Sequence, residues 1–234
     1  MSNSFKPIVA GEFRTLSPEE CRVLLIRDCP HQNNLVFYGE ITLLIKQGSQ
    51  LKSAGINLAK VITSPADRSL LTVLYTKVGN ECAGHTRTDD RFDDFDATDI
   101  SIFKRIKSLA DERGVSIEQL TYDLVRQSDE FVNILFERGE ESAGAIREYG
   151  RQYAGSTILI GSHGISRIPW TILRLENTWG DWPDTMSFLE HGQIMEIIYR
   201  STTGSIAERH LLEPLPPPFI PPVITEEEQA EGQE

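Results

Sequence analysis

The stretch that decides the fold is Arg22-Val-Leu-Leu-Ile-Arg-Asp-Cys-Pro-His-Gln-Asn-Asn34. Val23 to Ile26 form a short apolar run that does not alternate with polar residues, the pattern of a strand buried on both faces of a parallel sheet. Pro30 cannot extend a central strand, so the chain must leave the sheet there. Arg27 and Asp28 therefore stand at the carboxyl end of a central strand, where open α/β sheets build their sites.

Two further strands of this kind are expected. Leu58–Thr63 (Leu-Ala-Lys-Val-Ile-Thr) ends at Ser64-Pro65, and Thr157–Ile160 (Thr-Ile-Leu-Ile) delivers Gly161-Ser162-His163-Gly164. Between the first two strands, Ile41, Leu44, Ile45, Gly48, Leu51 and Ala54 recur at spacings of three and four, predicting a helix closed by Gly55. A second helix is predicted over 66–78, with Leu70, Leu71, Leu74 and Val78 on its inner side. Arg68 falls in its first turn, where the helix dipole disfavours a cation, and so calls for an anionic partner.

Residues 89–99 hold six Asp against one Arg. Counted from Asp94 they place oxygen ligands at the first, third and fifth positions of a calcium loop, but Asp99 stands where that loop needs Gly and Arg105 where it needs Glu. The run therefore reads as a solvated loop, with Asp99 as N-cap of the next helix. Three helices are expected in succession. The first is lined by Ile100, Phe103, Ile106, Leu109 and Ala110. The second opens on a Ser116–Gln119 capping box and carries Ile117 through Leu135, and the third covers about 140–154. Another helix starts at Ile168-Pro169-Trp170. Thr185–Glu190 and Gln193–Tyr199 are expected to form a hairpin around His191-Gly192, and Ser205–Leu212 a short closing helix. Residues 1–20 read as a surface leader.

Composition narrows the class. With 234 residues, 39% hydrophobic and 25% charged, the chain suits one large core, and no apolar run has the length of a membrane span. No secretory leader pattern stands at the start, and Cys21, Cys29 and Cys82 have no paired spacing, which favours a reducing, cytoplasmic setting over a disulfide framework or zinc site. The net charge is −12, and six Glu without any Lys or Arg fall in residues 213–234. An acidic chain with no basic stripe argues against nucleic-acid binding. Phosphate-loop, nucleophile-elbow and zinc-pair motifs are absent from the sequence, and His85, His191 and His210 read as scattered surface or loop residues. Residues 214–223 are Pro-rich and run into the acidic end. They are expected to be extended and then disordered, either as a plain tail or as a contact for a protein partner.

Arg27, Arg68 and His163 thus come from three neighbouring strand ends, and together they suit one anion, since guanidinium forks match phosphate oxygens. The ordered set resembles the histidine phosphatase superfamily, the phosphoglycerate-mutase-like proteins. Their pattern is a strand with Arg-His-Gly and an Asn five residues on, a Leu-Thr-led helix, Ser-Ser-Pro-x-x-Arg, an acidic segment, and Ser-His-Gly. Here these read Ile26-Arg27-Asp28-Cys29 with Asn34, Ile41-Thr42, Thr63-Ser64-Pro65-Ala66-Asp67-Arg68, the Asp run, and Ser162-His163-Gly164. The resemblance covers about residues 20–200. It implies a three-layer α/β/α sandwich with a mostly parallel sheet, forming one domain over 1–212 with a helical insertion at about 99–155 and the tail at 213–234.

Carried over position by position, the resemblance implies that Arg27, Arg68 and His163 hold a phosphoryl group. Asp94 (Asp93 next) would protonate the leaving oxygen. The nucleophilic His is expected at position 28, which is Asp, and the Gly after it is Cys29. Asp28 is shorter than His, and its charge repels a phosphate dianion and pairs with the arginines meant for it. Aspartyl-phosphate chemistry exists but usually leans on magnesium, and neither a metal site nor a cofactor is identifiable in the sequence. The expectation is a catalytically impaired protein whose phosphate-type pocket serves binding or regulation, with a phosphorylated small molecule or phosphoprotein as ligand. Two alternatives stand beside it. One is a working phosphomonoesterase using Asp28 or His31, and the other is a scaffold acting through its Pro-rich tail.

Overall fold

The computed structural model describes residues 4–9, 11–29, 31–32, 35–94, 97–125, 129–178 and 189–213. In chain order the strands are β1 (Ser4–Lys6), β2 (Glu20–Arg27), β3 (His31–Gln32), β4 (Leu35–Val36), β5 (Leu58–Thr63), β6 (Thr86–Thr88), β7 (Thr157–Ser162), β8 (Ile194–Arg200) and β9 (Ser205–Leu212). The helices are α1 (Tyr38–Ser53), α2 (Asp67–Gly79), α3 (Ala97–Arg113), α4 (Ile117–Val125), α5 (Asp129–Gln152) and α6 (Ile168–Glu176), with a 3-10 turn at Asp90–Phe92.

Seven strands form one sheet in the order β1-β9-β8-β2-β7-β5-β6, and β3 pairs with β4 in a small separate ribbon. Only β8 runs against its neighbours. The β1–β9, β2–β7, β7–β5 and β5–β6 pairs are all parallel. β2 lies fourth of seven and is buried along its whole length. Its period-two alternation sends side chains into two different cores. Val23 and Leu25 pack with Ala143, Ile146 and Tyr149 of α5 and Ile168 and Ile172 of α6. Leu24 and Ile26 pack with Leu44 and Leu51 of α1 and Val73 of α2. Helices on both faces of a mostly parallel sheet make the expected three-layer α/β/α sandwich. A third cluster joins Ile106 and Ala110 of α3, Leu120 of α4 and Leu135 of α5 to Trp170 and Leu173 of α6.

Several expectations need correction. Ser205–Leu212 is a strand, not a helix, because its backbone is claimed by β8 on one side and β1 on the other. Residues 4–6, read as surface leader, are that edge strand. The inner face of α2 is made of Ser69, Thr72, Val73, Thr76 and Gly79, while Leu70, Leu71 and Leu74 are half-buried and Val78 is 63% exposed. Close approach to α1 explains this: a Cβ on Gly79 would overlap the carbonyl of Ile45, and one on Gly48 would overlap that of Thr76. Small residues are required there, whatever their polarity.

Asp99 lies inside α3, two residues past its start, and so is not the N-cap. Ser116 does cap α4, its Oγ accepting from Gln119 N at 3.0 Å, but the Gln119 side chain turns to Asp123 and leaves the capping box half-made. The helix starting at Ile117 ends at Val125, and α5 begins at Asp129 and not near 140. Of the proposed hairpin, β8 is present and antiparallel to β2 and β9, Leu189 and Glu190 are not strand, and 185–188 lie outside the described residues. Asn34 and residues 214–234 also lie outside them, as does the side chain of His31.

Candidate functional site

The carboxyl ends of β2, β5 and β7 lie side by side, because Arg27 is in register with Ser162 and Thr63 with Gly161. Asp28 is held just past β2 by its N–H, which donates to Ser162 O at 3.0 Å. Ser64 is held past β5 in the same way, through Gly161 O. Parallel pairing thus delivers Asp28, Ser64 and His163 to one rim, and α2 begins there with Arg68 in its first turn.

Five of the expected residues meet in one cluster: Asp28, Arg68, His163, Asp93 and Asp94. Arg68 Nε donates to Asp28 Oδ2 at 2.6 Å, and Arg68 Nη2 pairs with Asp94 Oδ2. His163 Nδ1 lies 3.2 Å from Arg68 Nη2 and 3.4 Å from Asp28 Oδ2. On its other side His163 Nε2 is 2.9 Å from Ser64 Oγ, which in turn lies 2.9 Å from Asp93 Oδ1. The serine's single proton goes to the carboxylate, so Ser64 Oγ accepts from His163 Nε2–H. Nδ1 then accepts from Arg68 when the ring is neutral, or donates to Asp28 when it is charged.

The electrostatics of the cluster centre on Asp28. Burial opposes its ionisation, but the hydrogen bond and charge of His163, together with the charge of Arg68, outweigh burial and hold the carboxyl at about 2. Asp28 is therefore a carboxylate at neutral pH, bonded to the cations around it. Its neighbour Cys29 is unlike it: burial pushes the thiol up to about 12, so it is neutral, and its N–H donates to Thr72 Oγ1 at 3.0 Å.

The acidic segment is strapped down rather than loosely solvated as expected. Phe92 is buried in the core, and its carbonyl accepts from Ser162 Oγ at 3.0 Å. Arg167, 2% exposed, donates from Nε to Asp93 O at 2.5 Å and from Nη1 to Arg138 O and Glu141. Arg138 donates to Asp94 O at 3.3 Å. These arginines hold Asp93 and Asp94 against the strand ends. Nothing local in the sequence marks Arg167 for that role.

Arg27 goes elsewhere. Its Nη1 donates to Leu189 O at 2.5 Å, and its Nη2 lies 3.2 Å from His191 Nε2 and 3.5 Å from Glu118 Oε1. His191 and Glu118 are thus parts of the site's surroundings that sequence reasoning missed. Their link to Arg27 spans 164 and 91 residues, so no local pattern marks it. Among the described residues no group of three or more His, Cys, Asp or Glu could hold a metal ion. Nor is any described helix long and apolar enough to cross a membrane.

The fold matches solved structures over most of their length. The crystal structure of phosphoglycerate mutase from Bacillus anthracis str. Sterne is similar with a TM-score of 0.59 at 15% identity, over 80% of this chain and 91% of that one. The chain has the phosphoglycerate-mutase-like fold. YhfR of Bacillus stearothermophilus shares this fold at TM-score 0.57 and 13% identity, over 80% and 94% of the two chains. So does the phosphoserine phosphatase of Entamoeba histolytica, solved in complex with 3-phosphoglyceric acid, at 0.55 and 14%, over 81% and 96%. No protein-family model matches the sequence, and no curated protein matches it in sequence. In this phosphoglycerate-mutase-like chain, position 28 at the strand end holds a carboxylate already bonded to its own arginine.

Proposed function

We propose that this protein uses a phosphate-type pocket for binding or regulation and that its phosphotransfer step is impaired. One observation carries the reading: the Asp28 carboxylate sits 2.6 Å from Arg68 Nε and 3.4 Å from His163 Nδ1. It satisfies the same donors a phosphoryl group would use. A phosphate dianion entering the pocket meets Asp28 and Asp94, and a like-charge pair at 4 Å costs about 4 kcal/mol at an effective dielectric of 20. The ligand is then a phosphorylated small molecule or phosphoprotein of low intrinsic affinity, gripped only when Asp28 yields Arg68. On this reading Arg68 and His163 are the phosphate-binding groups, and Asp94, with Asp93 behind it, stands where a leaving oxygen would be protonated. Arg27 joins them once released from its present partners. The pocket lies in a single domain, and the proposed helical insertion over about 99–155 reaches its surroundings through Glu118 and Arg138.

The test is hydrolysis of an aryl phosphate by wild type, Asp28→His, Asp28→Ala and His31→Ala, with and without magnesium, together with phosphate binding. Wild type is expected to be inert and Asp28→His to gain activity. Asp28→Ala is expected to bind inorganic phosphate about tenfold or more tightly, through loss of one repulsive charge. An active wild type abolished by Asp28→Ala makes Asp28 a nucleophile and replaces this reading with an active phosphomonoesterase. Loss through His31→Ala assigns that role to His31.

A further inference from the structure

We infer that His191 is a positioning residue for Arg27: its neutral ring latches the guanidinium away from the pocket, and its protonation releases it. The inference rests on the reading of Arg27 as a phosphate-binding group of that pocket, and it names the regulation of that group. His191 sits in the turn before β8, which is tied to the end of β2 by Arg27 N to Gln193 O at 3.1 Å and Gly192 N to Arg27 O at 3.0 Å. Gly192 has φ +71, a conformation that suits glycine, and this turn presents the imidazole beside the strand end.

The two ring nitrogens have different neighbours. Nδ1 lies 2.7 Å from the backbone carbonyl of Asp28, which can only accept, so Nδ1 carries the proton. Nε2 lies 3.2 Å from Arg27 Nη2, which can only donate, so Nε2 carries a lone pair. Both bonds coexist only in the neutral Nδ1–H tautomer. A second proton on Nε2 would set N–H against N–H and place two cations side by side.

The remaining contacts of Arg27 make it a side chain that can move. Its Nε has no partner although the residue is 8% exposed, and it lies over Gly164, where a Cβ would overlap Nε and Cδ. Nη1 rests on one carbonyl, Leu189 O, and Glu118 is reached only at 3.5 Å. His191 itself is exposed and exchanges protons with solvent. The charged and titratable groups around it are Arg27, Asp28 and Cys29 from β2 and its end, Glu40 from α1, Glu118 from α4 through Arg27, and Glu190 from its own turn. Arg27 donates to the same nitrogen that a second proton would occupy, so ring protonation and release of Arg27 are two sides of one equilibrium.

The experiment follows the side-chain nitrogens of His191 and Arg27 by NMR in the full chain, between about pH 8 and pH 5. At the upper end the His191 ring is expected as the Nδ1–H tautomer. On acidification the Arg27 Nε–H signal is expected to shift with the same midpoint as the ring. In His191→Gln, whose amide N–H replaces the bond to Asp28 and whose oxygen replaces the acceptor for Arg27, the Arg27 signal is expected to stay fixed. An Nε2–H tautomer, or an Arg27 signal that ignores the titration of His191, overturns the latch. Sulfate, a dianion throughout this range, separates the two readings. If sulfate binds more tightly with the His191 midpoint in wild type but not in His191→Gln, the latch feeds the pocket. If sulfate fails to bind at any pH while Arg27 still tracks His191, the latch stands and the reading of the pocket falls.

Discussion

Arg27 and Arg68 stand on the same rim of the sheet, and both were expected to face one anion, yet their surroundings have little in common. Arg68 is enclosed by carboxylates, Asp28 at 2.6 Å and Asp94 beside it. Arg27 rests on a backbone carbonyl and a neutral imidazole, with its nearest carboxylate, Glu118, at 3.5 Å and 28% exposed. The same residue type at two strand ends is therefore bound by charge in one case and by dipoles in the other. What separates them is Asp28: its side chain turns to Arg68, while its backbone carbonyl anchors the ring that holds Arg27. Asp28 thus pairs with Arg68 through its side chain, while its main-chain carbonyl lies against the ring beside Arg27.

The largest expected effect follows from stranding Asp28. Arg68→Met removes the guanidinium from a carboxylate that is 5% exposed, and removing one partner of a buried pair costs about 3 kcal/mol or more. Arg27→Met leaves a carbonyl, the Nε2 of His191 and a half-exposed Glu behind and is expected to cost about 1–2 kcal/mol. Urea unfolding of both variants checks the difference, and the contrast between the two arginines collapses if Arg27→Met proves the more damaging.

A smaller effect sharpens the Asp28 side of the comparison. Its carboxyl titrates at about 2 in the folded protein, below the ordinary unfolded value of about 3.9. The unfolded state therefore binds the proton first as pH falls. The contribution, about 2 kcal/mol, is complete above the unfolded value and is lost as pH falls toward and through 2. Wild type should lose more stability than Asp28→Asn between about pH 5 and pH 2. Parallel acid profiles would mean that Asp28 is no better stabilised as an anion in the fold than in the unfolded chain.

How much of this could be read from residues alone depended on how local the cause was. β2, β5 and β7 are apolar runs with clear stops, and they were legible along with the rim they form. The Arg68–Asp28 contact was foreshadowed too, by a cation in a helix first turn and a carboxylate at the neighbouring strand end. β1 and β9 were not legible, because Ser4–Lys6 and Ser205–Leu212 become strands only through each other and β8. The inner face of α2 was misread because hydrophobicity points to Leu70, Leu74 and Val78, whereas the backbone approach at Gly48 and Gly79 selects small side chains. His191 looked like a loop histidine, and its role depends on a carbonyl 163 residues away.

The smallest expected effect probes the Arg27 side through a residue that has no side chain of its own. Gly164 follows His163 directly, and a Cβ there would overlap Arg27 Nε and Cδ. Its φ lies outside the left-handed region, so Ala brings no backbone strain, and the steric conflict falls on a flexible side chain rather than on main chain. Gly164→Ala is therefore expected to displace Arg27 at a cost of about 1 kcal/mol, at the low end of overpacking. The Arg68–Asp28–His163 cluster should remain closed, because none of its bonds passes through Arg27. Thermal unfolding measures the cost, and the acid profile of Asp28 reports on the cluster in the same protein. If Gly164→Ala raised the Asp28 titration, the two arginines would be coupled through the loop that carries Gly164, and their different surroundings would be one device instead of two.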